Sequence, residues 1–419
     1  MRITPAYELE QRWKKLQQYM LADGLDAVII VQNADLFYFT GTTQSGNLYV
    51  PVCGTPIYMV RKDLGRARQE SRLTEIVSFA SMKDVPGRLA EYGYKEPARI
   101  GMELDVVPVG FFERYRKVYP DAEYVDATHL IRRVRMIKSD YEVSIMEEAA
   151  VQVDKIFRRA RKAIRQGMTE IELAAELEYV ARINNHMGYM RMRSFNGEMV
   201  FGHAFSGAAA AVPAYNDTPL GGSGMHPAFG QGAGKSTIEC NEPIVIDFTG
   251  SIDGYMVDQT RIFSIGPVSD SLAKGYDDML KVRDLMKQIV RPGVSWGSVY
   301  AECFELAVNM GYVDSFMGGS GAQVSFIGHG LGIEIDEYPF IARGFDKMQF
   351  ETGMAFAFEP KLVFPGVGSV GIEDTFFLGA DGLRQLTFTS DELVVLDCQE
   401  NQCSTKTEGG LRDETERGP

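Results

Sequence analysis

Five residues in the C-terminal half of the chain have the types and contexts of a metal-binding set: Asp247, Asp258, His329, Glu359 and Glu373. One imidazole and four carboxylates suffice to hold two divalent ions side by side. Such a pair of ions polarises a carbonyl and activates a water molecule. Oxygen-rich sites with one imidazole suit manganese, cobalt, iron or zinc better than copper. The sequence does not choose among those four metals.

The sequence contexts predict that these side chains converge. Asp247 ends the apolar stretch PIVID, and Asp258 lies beyond the turn SIDG, so an antiparallel hairpin would bring both carboxylates to one face. His329 lies in GHGLG, where the backbone can approach a ligand closely. Glu359 follows MAFAF and Glu373 follows SVGI, and an unpaired carboxylate beside an apolar strand is costly. Any one of the five could be an ordinary turn, ion-pair or core residue, but the complete set favours a metal site.

Composition limits the class of protein. The 419 residues predict two domains, and 45% hydrophobic residues are typical of a globular chain. A net charge of −14 argues against nucleic acid and anionic membranes as partners. Five cysteines without a CxxC pair, an N-terminus unlike a signal peptide, and no long apolar run predict a reduced, cytoplasmic protein.

Strands alternating with helices over the first 135 residues predict a small α/β domain. Ser139 and Thr169 each stand three residues before a glutamate, as in the capping boxes that begin helices. We therefore expect a second domain over residues 136–398, with a long loop from 195 to 240 that is rich in Gly, Ala, Pro and Ser. In that loop YNDTP predicts a turn that could also line the site. The polar segment 399–419 is predicted to be disordered.

The chain resembles the pita-bread metallohydrolases, which include aminopeptidase P, prolidase, methionine aminopeptidase and creatinase. The resemblance runs from residue 7 to about 397, through DAVIIVQNADLFYFTG, RMIKSDYEVSIMEEAA and RQGMTEIELAAELE, and the metal motifs match in order and context. It implies an α/β fold: a creatinase-like N-terminal domain followed by a pita-bread domain with a curved antiparallel sheet. It also implies a homodimer.

The resemblance assigns roles to the five residues. Asp258, His329, Glu373 and a bidentate Asp247 would be metal ligands. Glu359 would be a ligand that also accepts the proton of a water bridging two divalent ions and passes it to the leaving nitrogen. The implied reaction is hydrolysis of a small peptide, as in Xaa-Pro aminopeptidases or dipeptidases.

Three positions depart from the peptidase pattern. A histidine usual in family peptidases is replaced by Gly230, and a second one by Asp336. An arginine common in aminopeptidase P and prolidase is replaced by Gly371. The two histidines normally donate to the substrate carbonyl, and an ionised Asp336 cannot donate. These departures leave the substrate open.

Several explanations fit the departures. His226 or His203 could supply a missing donor, and Arg343 could bind a substrate carboxylate. Alternatively, the substrate could differ, with Asp336 acting as a base in a creatinase-type C–N hydrolase or a lyase for a small zwitterion. A catalytically silent binding module is the third alternative.

Overall fold

The computed structural model describes residues 2–398, so the segment 399–419 lies outside the described residues. The N-terminal domain alternates helices and strands, and it confirms the predicted α/β class. Its helices are α1 (Ala6–Ala22), α2 (Asn33–Thr40), α3 (Leu64–Glu70), α4 (Val85–Glu91), α5 (Val109–Arg116) and α6 (Thr128–Arg135). Its strands are β1 (Ala27–Ile30), β2 (Gly46–Pro51), β3 (Ile57–Val60), β4 (Glu75–Ser78), β5 (Arg99–Met102) and β6 (Glu123–Asp126).

These six strands form one mixed sheet in the order β4-β3-β2-β1-β5-β6. The central strand β1 pairs antiparallel to β2 and parallel to β5. All four residues of β1 are buried, as expected for a strand covered on both faces. The apolar runs at 25–32, 55–60 and 98–105 contain β1, β3 and β5 of this sheet, in agreement with the strands predicted for the first 135 residues.

The rest of the chain contains long helices and antiparallel strands. Its helices are α7 (Asp140–Ala163), α8 (Glu170–Ile183), α9 (Asp270–Ile289) and α10 (Trp296–Asn309). Its strands up to the middle of the domain are β7 (Gly202–Ser206), β8 (Ile244–Ile252), β9 (Tyr255–Ile265), β10 (Phe326–Leu331) and β11 (Ile335–Ala342). The remaining strands are β12 (Ala355–Phe358), β13 (Lys361–Phe364), β14 (Gly368–Gly371), β15 (Asp374–Gly379), β16 (Gly382–Gln385) and β17 (Val394–Leu396).

Both predicted capping boxes are present at the helix starts. The Ser139 hydroxyl accepts from the Glu142 amide, and the Glu142 carboxylate accepts from the Ser139 amide, so α7 begins as expected. Thr169 and Glu172 make the same pair of bonds at α8. Helix α6 ends and α7 begins on either side of the predicted boundary near residue 135, which itself stays a prediction.

Two sheets of the second domain meet where the candidate ligands lie. One sheet has the order β17-β9-β8-β7 and the other β11-β10-β12-β15-β16. An isolated bridge between Thr260 on β9 and Glu373 joins them. Helices α7 and α8 pack on the first sheet, whereas α9 and α10 pack near β11, β13 and β14. Within residues 2–398, no helix is both long and apolar enough to cross a membrane.

A buried ionic network connects the two domains beside the site. Arg135 donates to Asp35 at 2.6 Å and to Glu334 at 2.7 Å, and it also pairs with Glu337. Lys138 reaches the second oxygen of Glu337 at 3.2 Å. Glu337 also accepts the amides of Ile333 and Glu334, so it fixes the turn that leads into β11. The network therefore holds a segment of the second domain against α2 and α6.

We predict that Glu337→Gln destabilises the fold at neutral pH. Although burial opposes the charge, Arg135 and Lys138 lower the pKa of Glu337 from 4.5 to about 2. A depressed pKa means that the ion pairs stabilise the protein above about pH 4.5 and that this contribution is lost as the pH falls toward 2. The substitution should lower the free energy of unfolding by about 3 kcal/mol at neutral pH.

Urea titrations at neutral and acidic pH measure this effect. The variant should show a weaker fall in stability below about pH 4.5 than the unmodified protein. Glu305→Gln, at an exposed position on α10, is the matched control and should change little. Equal free energies of unfolding for Glu337→Gln and the control would contradict the prediction.

Candidate metal centre

The β8–β9 hairpin places both aspartates on one face, as the sequence predicted. Asp247 pairs with Thr260 and Thr249 pairs with Asp258 in the antiparallel register. Residues two apart on a strand, and residues directly opposite across the ladder, point to the same side. Asp253 occupies the connecting turn with φ of 46°, within the turn SIDG that the sequence predicted.

The other three candidates come from the second sheet. His329 lies on β10 opposite Ala357 of β12. Glu359 follows the last residue of β12, and Glu373 precedes the first residue of β15. All three are at least nine-tenths buried, and each lines the same cavity as the two aspartates. The structure therefore brings together all five residues predicted from the sequence.

Three of the five form a compact ligand group. One ligand atom from each of Asp258, His329 and Glu373 lies within 4.8 Å of the others. The His329 Nε2 atom is 3.7 Å from an oxygen of Glu373 and 3.7 Å from an oxygen of Glu359. The Thr260 hydroxyl donates to the other oxygen of Glu373 at 2.8 Å and so orients that carboxylate. One imidazole with carboxylates at this spacing fits a divalent ion.

A lysine side chain occupies the other half of the carboxylate set. The Lys361 Nζ atom lies 2.7 Å from Glu359, 2.8 Å from Glu373 and 3.2 Å from Asp247. Lys361 is 2% exposed, so its charge is withdrawn from water and balanced by these carboxylates. The resemblance gives Asp247 as a bidentate metal ligand, but here its nearest cation is this ammonium. The residues present thus fit one divalent ion well, and a second ion would share its place with Lys361.

Burial and the close contacts among charged groups shift the pKa values of the site residues. Burial opposes the charge of Lys361, but three carboxylates raise its pKa well above the ordinary value. Burial likewise opposes the charge of His329, whereas Glu373, Asp336 and Glu359 raise its pKa to about 10. Burial raises the pKa of Glu359 to about 7, with Lys361 opposing that rise. A metal ligand must be deprotonated, so binding of an ion at His329 would release a proton.

His203 lies at the wall of the cavity beside the aspartates. It pairs with Asp247 across the β7–β8 ladder, which directs its side chain to the same face. Its Nδ1 atom is buried and has no hydrogen-bond partner among the described residues. Burial, and then the charge of Lys361, lower the pKa of His203 to about 4, so the ring is neutral at pH 7. A neutral imidazole offers one donor and one acceptor, which is what a substrate carbonyl or amide requires.

Asp336 also lines the cavity, at a strained position of β11. Its φ is 63°, a left-handed conformation that few residues other than glycine adopt, within an irregular stretch of the β10–β11 ladder. An oxygen of Asp336 lies 3.7 Å from Nδ1 of His329. Burial raises its pKa above the ordinary value, while His329 and Arg132 oppose that rise. The residue is therefore close enough to the ligands to contact a bound substrate.

Two other candidates lie away from the cavity. His226 is exposed, and its Nδ1 atom accepts the Ala228 amide within a tight turn of the long loop. Arg343 is exposed beside Phe304, with the guanidinium 6.0 Å from the ring centroid. In this geometry neither side chain lines the cavity, and the roles of His226 in catalysis and of Arg343 in substrate binding stay predictions. Each residue has its polar group at the surface, outside the cavity.

The structure also shows site residues that the sequence analysis missed or left open. Lys361 was missed, although its position two residues after Glu359 predicts the same side of an extended strand. Asn216 and Asp217 of YNDTP line the cavity, which was the alternative to a simple turn. The apolar wall is formed by Met190, Met192, Met199, Val200, Phe201, Phe326 and Ile335.

Comparison with known proteins agrees with this architecture. The model of metallopeptidase family M24 matches residues 144–380, and that of the creatinase/prolidase N-terminal domain matches residues 12–137. The Xaa-Pro dipeptidase of Pyrococcus horikoshii is 26% identical over 389 residues, which cover 92% of this chain and 99% of the relative. The Xaa-Pro dipeptidase of Pyrococcus furiosus is 27% identical, with 92% and 100% covered.

Solved structures share the fold over nearly the whole chain. The Xaa-Pro dipeptidase of Bacillus anthracis superposes with a TM-score of 0.78 at 24% identity, covering 93% of this chain and 100% of that one. The prolidase of Pyrococcus horikoshii gives a TM-score of 0.76 at 24% identity, with 92% and 100% covered. The expected creatinase-like and pita-bread domains are thereby confirmed. The chain belongs to metallopeptidase family M24.

Proposed function

We propose that this protein hydrolyses small peptides with a divalent metal ion, in the manner of an Xaa-Pro dipeptidase or aminopeptidase. The observation that carries the proposal is the ligand group of Asp258, His329 and Glu373 at the floor of a cavity. A divalent ion bound there polarises a carbonyl and lowers the pKa of a coordinated water. The names of the relatives favour this reaction over a C–N hydrolase, a lyase or a silent binding module.

The cavity fits a short peptide with a free amino end. Its apolar wall can bury a ring or an aliphatic side chain, while Asp217 and Asp336 present carboxylates. No lysine or arginine belongs to the cavity lining among the described residues. An acidic lining favours an ammonium group of the substrate over a carboxylate group of the substrate. We therefore propose a substrate with a free amino end.

Protein side chains supply the remaining chemistry. Glu359 lies 3.7 Å from His329, beside the ligand group, where it can accept a proton from the attacking water and deliver it to the leaving nitrogen. His203 can donate a hydrogen bond to the oxygen on which negative charge develops. The apolar wall lowers the local dielectric constant beside the reacting bond, which strengthens both interactions.

The cellular location, the oligomeric state and the metal also belong to the proposal. We propose a cytoplasmic location, because a low cysteine content and the free thiols of Cys53 and Cys303 are typical of a reduced protein. We also propose a homodimer, on the basis of the family resemblance alone. Manganese, cobalt, zinc and iron remain the candidate metals, because ligands of this kind suit all four.

Metal-dependent cleavage of proline peptides tests the function. Metal-stripped protein, refilled in turn with the four metals, should cleave Xaa-Pro dipeptides or tripeptides at a proline bond. Asp258→Ala and His329→Ala should lose both bound metal and turnover, because each removes a ligand. Protein with metal confirmed bound and no cleavage of any peptide would contradict the proposal.

The role of His203 predicts a selective loss of rate. His203→Ala should lower kcat by about 10²–10³, the loss typical of removing one oxyanion donor, with metal content unchanged. His129→Ala, at an exposed position of the N-terminal domain, is the control and should leave kcat unaltered. A larger loss from His226→Ala than from His203→Ala would show that the loop histidine supplies the donor instead.

A substitution at Asp336 tests whether the departures from the family pattern lower peptidase activity. Asp336→His restores the donor that the family resemblance places there, so peptide turnover should rise. The gain attributable to one donor has a ceiling of about 10²–10³. Turnover of dipeptides by both proteins is measured at equal metal content. An unchanged or lower kcat would indicate that the aspartate itself takes part in the reaction.

A further inference from the structure

The Lys361 side chain is bound as a metal ion would be bound. Its ammonium has three donors, and each meets a different carboxylate: Asp247, Glu359 and Glu373. Each of these carboxylates was identified above as a candidate metal ligand, and Lys361 itself is 2% exposed. A buried lysine with all its donors satisfied is a fixed part of a site, unlike a surface lysine that happens to lie nearby.

Local backbone geometry brings this cation into the site. Lys361 opens β13 and pairs with Gly371 of β14. A Cβ atom at Gly371 would lie 2.5 Å from the Pro360 carbonyl oxygen and 2.9 Å from Cγ of Lys361. No side chain fits at position 371 without moving the strand that carries Lys361. The arginine that is common at this position in aminopeptidase P and prolidase would not fit here. A cation enters the site from the paired strand instead.

A metal ion beside Asp247 would need the space and the oxygens that Lys361 uses. Metal–oxygen bonds of about 2.0–2.2 Å draw carboxylates inward, whereas the ammonium holds them at hydrogen-bond distances. The oxygens facing Nζ are Oδ2 of Asp247, Oε2 of Glu359 and Oε2 of Glu373. A divalent ion and an ammonium also repel each other at close range. The two cations therefore exclude one another.

We propose that Lys361 is a resident cation that takes the place of the metal beside Asp247, so that the centre holds one divalent ion, at Asp258, His329 and Glu373. The inference rests on the metal centre of the proposed function and concerns the number of ions. It assigns Asp247 to binding the ammonium. It also makes Lys361 a positioning residue, because it orients the carboxylates of Glu359 and Glu373.

Counting bound ions tests the proposal on the full-length protein. Metal-stripped protein is titrated with Mn²⁺ by calorimetry, and manganese per chain is measured after gel filtration. One ion per chain is expected, with the paramagnetic resonance spectrum of an isolated Mn²⁺. Two ions per chain with a spin-coupled spectrum would overturn the proposal without the need for any variant.

Variants at position 361 test whether Lys361 limits the centre to one bound ion. Lys361→Met and Lys361→Gln remove the charge and should bind two ions per chain, with a coupled spectrum. Lys361→Arg keeps a cation and should still bind one. Lys347→Met, at an exposed lysine, is the matched control and should also bind one.

The outcomes separate this inference from the proposed function. A single ion in folded Lys361→Met and Lys361→Gln, checked by circular dichroism, would overturn the role of the lysine. If neither neutral variant folds, the ion count of the unmodified protein and of Lys361→Arg decides. Failure of metal-loaded protein to cleave peptides would contradict the proposed function and leave the ion count unaffected.

Discussion

Four carboxylates converge where two sheets of the second domain meet, and their mutual repulsion must be balanced by cations. Asp247 and Asp258 arrive on one sheet, while Glu359 and Glu373 arrive at strand ends of the other. Buried carboxylates without a positive partner are costly or become protonated. The chain supplies two basic groups, His329 and Lys361, to these oxygens. The hairpin register, the Thr260–Glu373 bridge and the close strand approach at Gly371 all serve this balance.

The same requirement extends outward from the centre into the domain interface. Arg135 and Arg193 share Asp35 of the N-terminal domain, and Arg135 continues to Glu334 and Glu337 of the second domain. These contacts fix the turn into β11, the strand that presents Asp336 to the cavity. The N-terminal domain thus acts on the site through backbone position. A packed, fully paired network of this kind holds functional groups more rigidly than a surface loop would.

The sequence predicted most of the metal centre because strands have a simple geometry. The spacing from Asp247 to Asp258 across a turn specified a hairpin face, and alternation would also have placed Lys361 beside Glu359. Sequence could not place His203, His226 and Arg343 relative to the cavity, because the two histidines lie in the stretch 195–240, which was expected to be a loop, and Arg343 follows the end of β11. Their positions depend on long-range packing, and local patterns do not encode it. Asn216 and Asp217 reach the cavity for the same long-range reason.

Exchange of a divalent metal ion for an ammonium replaces two positive charges by one and also changes the chemistry. Lys361 donates hydrogen bonds and holds three carboxylates at fixed positions, yet it offers no open coordination position to a substrate oxygen. Polarisation of a carbonyl therefore depends on the ligand group around His329 and on donors such as His203. The cavity lining, as far as the structure describes it, is acidic and apolar. The proposed peptide substrate would thus be recognised through its amino terminus and an apolar residue, and its carboxyl terminus would have to rely on the metal itself.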